Sequence, residues 1–369
     1  MERHSPLDIP ELLNYTMGFL EGSTSTLLQC ALVARPWVNP AQLRLFRVPH
    51  LTNERISSNR FILRSFHDTL RSSPHLLGLV QELAITPDAQ FHPNIVEINL
   101  VCGLAFTNLR TVKLDLQCPT KIRKQLQLAS LMSHQMLRRL DLVVSGSLAE
   151  CASFLRRCSP TIRHIELSFF MSDAELLGLR RENRRMAAGG AITSLQLSPW
   201  KNGPFTTLCT VDLPSLVYPF ELSQLKALSI RPGYGMTVGW DSNLSIDSIQ
   251  MLDIEVREQP NNLDLSIFPN LQILRIHVGS FSAAVASTLQ TVSRSQPPIH
   301  TIVISTGQNL ATIPSSLLQE LDSVLASLPI ASLELEQTNG WDPDAARFFP
   351  NLKSRNLVRF FSVVRCTFC

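Results

Sequence analysis

The chain has little of what marks a nucleic-acid-binding, secreted or membrane protein. Only 17% of its 369 residues are charged, and 33 Lys and Arg against 30 Asp and Glu leave a formal net charge of +3. A balance so near neutral sets up no long-range field to gather polyanions or an anionic membrane, so no nucleic-acid or membrane partner is expected. Tyrosines number 3 and glycines 15, which excludes collagen-like and prion-like compositions. The 8 cysteines are scattered from Cys30 to Cys369, several among apolar neighbours, as reduced core thiols are, and no disulfide framework is expected. No apolar run approaches the ~18 residues that cross a bilayer, and the opening stretch is not a basic start followed by an apolar segment. A cytoplasmic or nuclear protein is the expectation. Lysine is scarce too: 6 against 27 Arg, with none before Lys113.

What the chain has in plenty is leucine, 58 residues within a 44% hydrophobic composition, enough to build a large core from helix faces and aliphatic strands. Three short helices are predicted over residues 1–52. Pro10 suits a first helical position, and Leu12, Leu13, Met17 and Leu20 recur at helical spacing until Gly22-Ser23. Ser25 is a candidate cap for a second helix carrying Leu27, Leu28, Ala31 and Leu32, which stops before Pro36. Asn39-Pro40 then opens a third, with Leu43 and Phe46 inward. So few residues rarely make a self-sufficient core, and apolar surface is expected to be left for a partner.

Four strings in this region, Ile9-Pro10-Glu11-Leu12-Leu13, Phe19-Leu20, Leu27 through Trp37 and Leu45-Phe46-Arg47, together resemble an F-box of the kind abundant in fungal F-box-like proteins. Leu70 through Leu83 resembles the join that follows it in that group. The first helix departs from the family, with one proline before Glu11 and Thr16 where Ile is common. The plainer reading is a helical cap that starts the rest of the fold.

From Val80 onward a six-residue pattern, apolar-x-x-apolar-x-apolar, recurs with starts at Val80, Leu109, Leu137, Ile162, Ile192, Leu225, Ile249, Leu271, Ile299 and Ile330, spaced 22 to 33 residues apart. Helical stretches lie between, such as Leu317 to Leu328 behind Pro314, and Phe268-Pro269-Asn270-Leu271 returns as Phe349-Pro350-Asn351-Leu352. One strand and one helix per unit predict stacked repeats, with a parallel sheet inside and helices outside. This resembles a degenerate leucine-rich-repeat array, lacking the usual Asn or Cys after the strand, where Gln117, Ser145, Phe170 and Trp200 stand instead. The fold class is therefore α/β: an N-terminal three-helix F-box followed by an irregular leucine-rich-repeat-like solenoid. The predicted organisation is 1–52 helical domain, 53–78 linking helix, 79–350 solenoid and 351–369 deviant cap or tail, with residues 357–364 packing as an edge strand or helix.

In such strands the residues between the apolar ones face the opposite, ligand-facing surface. Lys113, Asp115, Arg139, Asp141, His164, Glu166, Arg275 and His277 are candidate partner-binding residues there, with Lys113 and Arg139 set beside Asp115, Asp141 and Glu166. A solvated sheet face explains them equally well. There is no His-Glu-x-x-His helix, phosphate-cradling loop or Gly-x-Ser-x-Gly elbow. Cys366 and Cys369 have metal spacing but form a single pair. Arg180-Arg181-Glu182-Asn183-Arg184-Arg185 reads as the cationic end of a helix beginning near Ser172. No metal, cofactor or catalytic residue is expected.

The F-box resemblance implies a substrate-recognition subunit of a Skp-cullin-F-box ubiquitin ligase. It would dock on the Skp-type linker, and through it a cullin, while the repeats hold a target protein the sequence does not name. Pro10, Leu12, Leu13, Met17, Leu28, Leu32, Val33 and Trp37 are the candidates for the docking element, some for its own core and some for the partner. A protein-interaction scaffold with a decayed F-box is the alternative. A hydrolase on the sheet, using His164 with Glu166 or His277 with Arg275, lacks a nucleophile with its base.

Overall fold

The computed structural model describes residues 9–52, 62–86, 95–116, 127–145, 154–170, 191–199, 209–212, 222–230, 236–239, 246–256, 265–279, 281–295, 297–337 and 345–362. The Arg180–Arg185 run and the Cys366/Cys369 pair lie outside them. The chain divides into two compact units, Met1–Gly146 with Ser153–Ile165, and Ser147–Ala152 with Glu166–Cys369. The class is α/β with parallel strands, as the repeat pattern predicts.

The first unit opens with α1 (Pro10–Gly18), α2 (Thr24–Val33) and α3 (Arg35–Arg47). Pro10 sits in the first turn of α1, where its missing N–H is one that no helix bonds internally. Two boundaries differ from expectation. The cap position of α2 is Ser23, whose hydroxyl meets that of Thr26 at 2.7 Å, rather than Ser25. And α3 starts at Arg35, directly after extended Ala34, with Pro36 in its first turn, where the N–H it lacks has no partner within the helix, and with Pro40 inside the helix. Leu13, Met17, Leu27, Cys30 and Ala41 form a closed core, with Leu20, Ala31, Trp37 and Leu45 against it. Arg44 ties α3 to α1 and to the turn after it through a 3.3 Å bond to the Asn14 carbonyl and an ion pair with Glu21.

Next come β1 (His50–Thr52), α4 (Ile62–Ser72), β2 (Glu82–Thr86), α5 (Ile95–Cys102), β3 (Thr111–Leu116), α6 (Ala129–Met132), β4 (Arg139–Ser145) and β5 (His164–Phe170). Strands β1 to β4 pair in parallel in chain order, so that Leu51, Ile85, Leu114 and Leu142 share one register row. The helical element joins this ladder directly: β1 follows α3 within three residues, the Gln81 N–H donates to the Arg47 carbonyl at 3.0 Å, and Phe46 stacks on Phe66 of α4 at 6.5 Å.

The second unit continues β5 from Glu166 and adds β6 (Ser194–Pro199), β7 (Cys209–Asp212), β8 (Ala227–Ile230), β9 (Met236–Gly239), β10 (Met251–Val256), β11 (Ile273–Val278), α7 (Ala283–Ser295), β12 (Thr301–Thr306), α8 (Ser315–Ser327), β13 (Ser332–Gln337), α9 (Pro350–Ser354) and β14 (Val358–Ser362). The parallel order is β6-β8-β10-β11-β12-β13-β14, while β7 and β9 pair separately. In one row Leu195, Leu228, Leu252, Leu274, Ile302 and Leu333 line up, and in the next Leu197, Ile230, Ile254, Ile276, Ile304 and Leu335. All thirty apolar positions of the ten pattern copies are buried.

A backbone clasp repeats with them. In eight of the ten copies the carbonyl of the residue after the pattern start receives two N–H groups from the next repeat, as Arg110 does from Arg138 and Arg139, Gln250 from Gln272 and Ile273, and His300 from Ala331 and Ser332. In place of an Asn ladder after the strand, polar side chains just before it brace the turns, as Asn108 does on the Gly78 carbonyl at 2.7 Å and Asn270 on that of Asp247 at 2.8 Å. Not every connection is a helix as expected. Where the spacing falls to 24 and 22 residues, the described residues of the connections hold strand β9 and the 3-10 turns Ile246–Ser248 and Leu265–Ile267. At the C-terminal side, Arg355 stands where the pattern wants an apolar residue. Its guanidinium caps the end of α8 instead, bonding the Ala326 carbonyl at 2.6 Å, Asn356 takes a left-handed φ of 55°, and β14 then pairs with β13.

Candidate functional site

The structure divides the eight docking candidates in two. Leu13 and Met17 are sealed in the three-helix core, and Trp37 is half-buried against it. Leu12, Leu28, Leu32 and Val33 point outward, Leu32 at 87% exposure, and Pro10 is exposed at the start of α1. On α2 it is Cys30, with Leu27, that turns inward, and Leu32 that turns out. Sequence reasoning passed over two aromatic residues for docking: Tyr15 and Phe19, at 68% and 72% exposure, their rings meeting edge-on at 4.9 Å. They follow Leu12 at the i, i+3, i+7 spacing of a second stripe, opposite Leu13, Met17 and Leu20, and that spacing was the signal. With Ile9, these residues make seven of the eleven exposed large apolar side chains among the described residues. Contiguous exposed apolar side chains of this kind are what association surfaces of proteins present.

The second candidate surface is the strand face opposite the aliphatic rows. In the first unit Lys113 pairs with Glu82 at 2.5 Å rather than with Asp115, and Arg139 pairs with Asp141 at 2.8 Å. His164 is exposed. In the second unit the Gln196 amide donates to Glu166 at 3.1 Å, His277 Nε2 lies 2.8 Å from Asp253, and Arg275 reaches Glu336 at 3.6 Å across β12. Val303 and Ser305 of β12 are buried beneath that reach, and the Ser305 hydroxyl donates to Glu336. The face is a net of compensated charges, and Arg275 and His277 are each held by an acid rather than by one another.

Burial pushes the Cys102 and Cys158 thiols up to about 12, which removes them as nucleophiles near neutral pH. Among the described residues no cluster of His, Cys, Asp and Glu could hold a metal ion. An open groove of about 530 Å³ in the second unit is lined by polar groups such as Lys226, Asp247, Gln250, Asn270 and Gln272. No described helix is long and apolar enough to cross a membrane. Compared with protein-family models and with curated proteins, the chain matches none.

Proposed function

We propose that the protein is the substrate-recognition subunit of a Skp-cullin-F-box ubiquitin ligase. Helices α1 to α3 serve as an F-box-like element on a Skp-type linker, and through it a cullin, and the strands serve as a leucine-rich-repeat-like array that holds a target protein in the cytoplasm or nucleus. One observation carries this reading. A helical element closes its own core with Leu13, Met17, Leu27 and Cys30, yet presents Leu12, Tyr15, Phe19, Leu28, Leu32 and Val33 to water. No catalytic residue is needed, since the ubiquitin-transferring enzyme is recruited elsewhere in the assembly.

The test is co-purification of the full chain with a Skp-type linker. A charge placed in an apolar contact costs several kcal/mol unless it finds a partner, so Leu32→Asp abolishes capture while its far-ultraviolet circular dichroism stays that of the parent. A folded variant that captures the linker as well as the parent overturns the assignment. The scaffold with a decayed F-box is favoured by one feature, Thr16, whose hydroxyl bonds back to the Leu12 carbonyl at 2.8 Å on the exposed side of α1 and offers a partner no apolar group like the family's Ile. Under that reading the parent chain captures no linker.

A further inference from the structure

The polar groove of the second unit takes no part in linker docking. Its volume of about 530 Å³ falls within the ~300–1,000 Å³ of ligand clefts, yet the described residues that line it are polar throughout, which excludes an apolar ligand. The repeat clasp fixes its floor, the Gln250 N–H donating to the Lys226 carbonyl and the Gln272 N–H to the Gln250 carbonyl, each at 2.8 Å. Lys226, Gln250 and Gln272 stand immediately before the neighbouring strands β8, β10 and β11. They are thus one strand spacing apart, ~4.8 Å, and all three are exposed. Two turn side chains are tied to the fold beside them. Asn270 Nδ2 donates to the Asp247 carbonyl and the Ser248 hydroxyl to that of Leu225, both at 2.8 Å.

What marks the groove is the set of bonds its side chains leave unmade. On the strand face of the same unit Gln196 holds Glu166, His277 meets Asp253 and Arg275 reaches Glu336. In the groove the Lys226 ammonium and the Asp247 carboxylate do not pair, and the carboxamides of Gln224, Gln250 and Gln272 bond to no other described residue. A carboxamide carries a donor and an acceptor side by side, which is the complement of a peptide group. One cation and one anion cancel along the lining, so neither a polyanion nor a polycation is drawn in. We infer that Gln250 and Gln272, flanked by Lys226 and Asp247, form a docking groove for an extended, polar and uncharged segment of a partner protein, gripped by its main chain. An extended chain turns peptide groups to one side every ~7 Å, and flexible glutamine arms take up the difference from the ~4.8 Å strand spacing. Main-chain bonds supply the grip, as they do when a strand is added to a sheet edge. A neutral sugar chain would gain from an aromatic ring to stack on, and the described lining holds none.

Calling the segment a target rests on the proposed function, and the grip itself does not. Its measurement needs neither linker nor cullin, so failure here leaves the docking test untouched. The probe is a fluorescein-labelled, C-terminally amidated peptide of alternating Gln and Ser, titrated with the full chain by anisotropy. The parent binds it, and Gln250→Ala with Gln272→Ala weakens binding about tenfold. Gln135→Ala with Gln319→Ala removes two exposed carboxamides elsewhere and leaves binding within about twofold. A second arm leaves the protein unaltered. The same peptide N-methylated at alternate residues keeps every side chain but loses main-chain donors, and it binds about tenfold more weakly. A parent that binds no peptide overturns the groove, as do equal losses in the two double variants or an N-methylated peptide that binds as tightly. Displacement of the peptide by maltoheptaose overturns it in favour of a sugar site.

Discussion

The helical element and the repeat strands use apolar residues in opposite ways. Every apolar position of the repeat pattern is buried, thirty across ten copies, whereas residues 9–33 bury three large apolar side chains and leave seven exposed. The repeats are therefore self-sufficient in the direction perpendicular to the sheet, and the helices are not. This difference separates residues that hold the fold together from residues left open to solvent, a division that hydrophobicity alone does not make.

The sharpest way to break the comparison is to shorten one leucine in each region. Leu274, fully buried between Leu252 and Ile302, leaves a cavity when cut to alanine, and Leu274→Ala costs about 2–5 kcal/mol by urea denaturation. Leu32→Ala stays within about 0.5 kcal/mol of the parent. Equal losses would mean that Leu32 packs in the isolated chain and that the two regions do not differ.

A smaller effect tests how one repeat is fastened to the next away from the strands. Asp322 of α8 is 1% exposed and accepts the Asn351 and Leu352 N–H groups at 2.9 and 3.1 Å, capping α9. Asp322→Ala leaves two buried donors without that acceptor and costs about 1–3 kcal/mol, while Asp322→Asn, which keeps one oxygen, costs less. A loss no greater for alanine than for asparagine would remove the cap from the account.

The smallest effect is a slope with pH. Cys102 is held near 12 by burial against an ordinary thiol value of 9.0. The folded chain keeps this proton in alkali where the unfolded chain releases it, so the contribution is whole below about pH 9. It is lost as pH climbs toward 12. Urea midpoints of the parent fall more steeply between pH 9 and 10.5 than those of Cys102→Ala, and iodoacetamide modifies Cys102 slowly at pH 8.5. Parallel slopes would show that Cys102 exchanges with solvent.

The repeats could be read from sequence because each strand needs an apolar triple at one fixed spacing, and a register slip would turn every one of those side chains outward. Their backbone clasp could not, since any residue offers the same carbonyl and N–H. Helix α2 carries Leu27, Leu28, Cys30, Ala31, Leu32 and Val33, apolar nearly all round, so periodicity prefers no face and only the packed structure tells Cys30 from Leu32. The charge pairs failed in detail for another reason. Long side chains reach beyond the adjacent strand, as Arg275 does over β12 to Glu336, and strand order alone does not say which neighbour they choose. Tyr15 and Phe19 do not stand out in the sequence because Leu13 and Met17 already supply the one apolar face that a packed helix needs.

The hydrogen bond from Gln81 to the Arg47 carbonyl, together with the pairing of β1 and β2, makes the helical element the first course of the repeat masonry rather than a bead on a string. Distance from it is then counted in strands. Arg110 lies at the start of the second strand beyond β1 and Arg163 at the start of the fourth, roughly 10 and 20 Å away at one strand spacing each. Any group on a given strand is thus held at a set reach from α1 and α2. Lengthening a loop between repeats would leave that reach unchanged, and only adding or removing a strand would alter it.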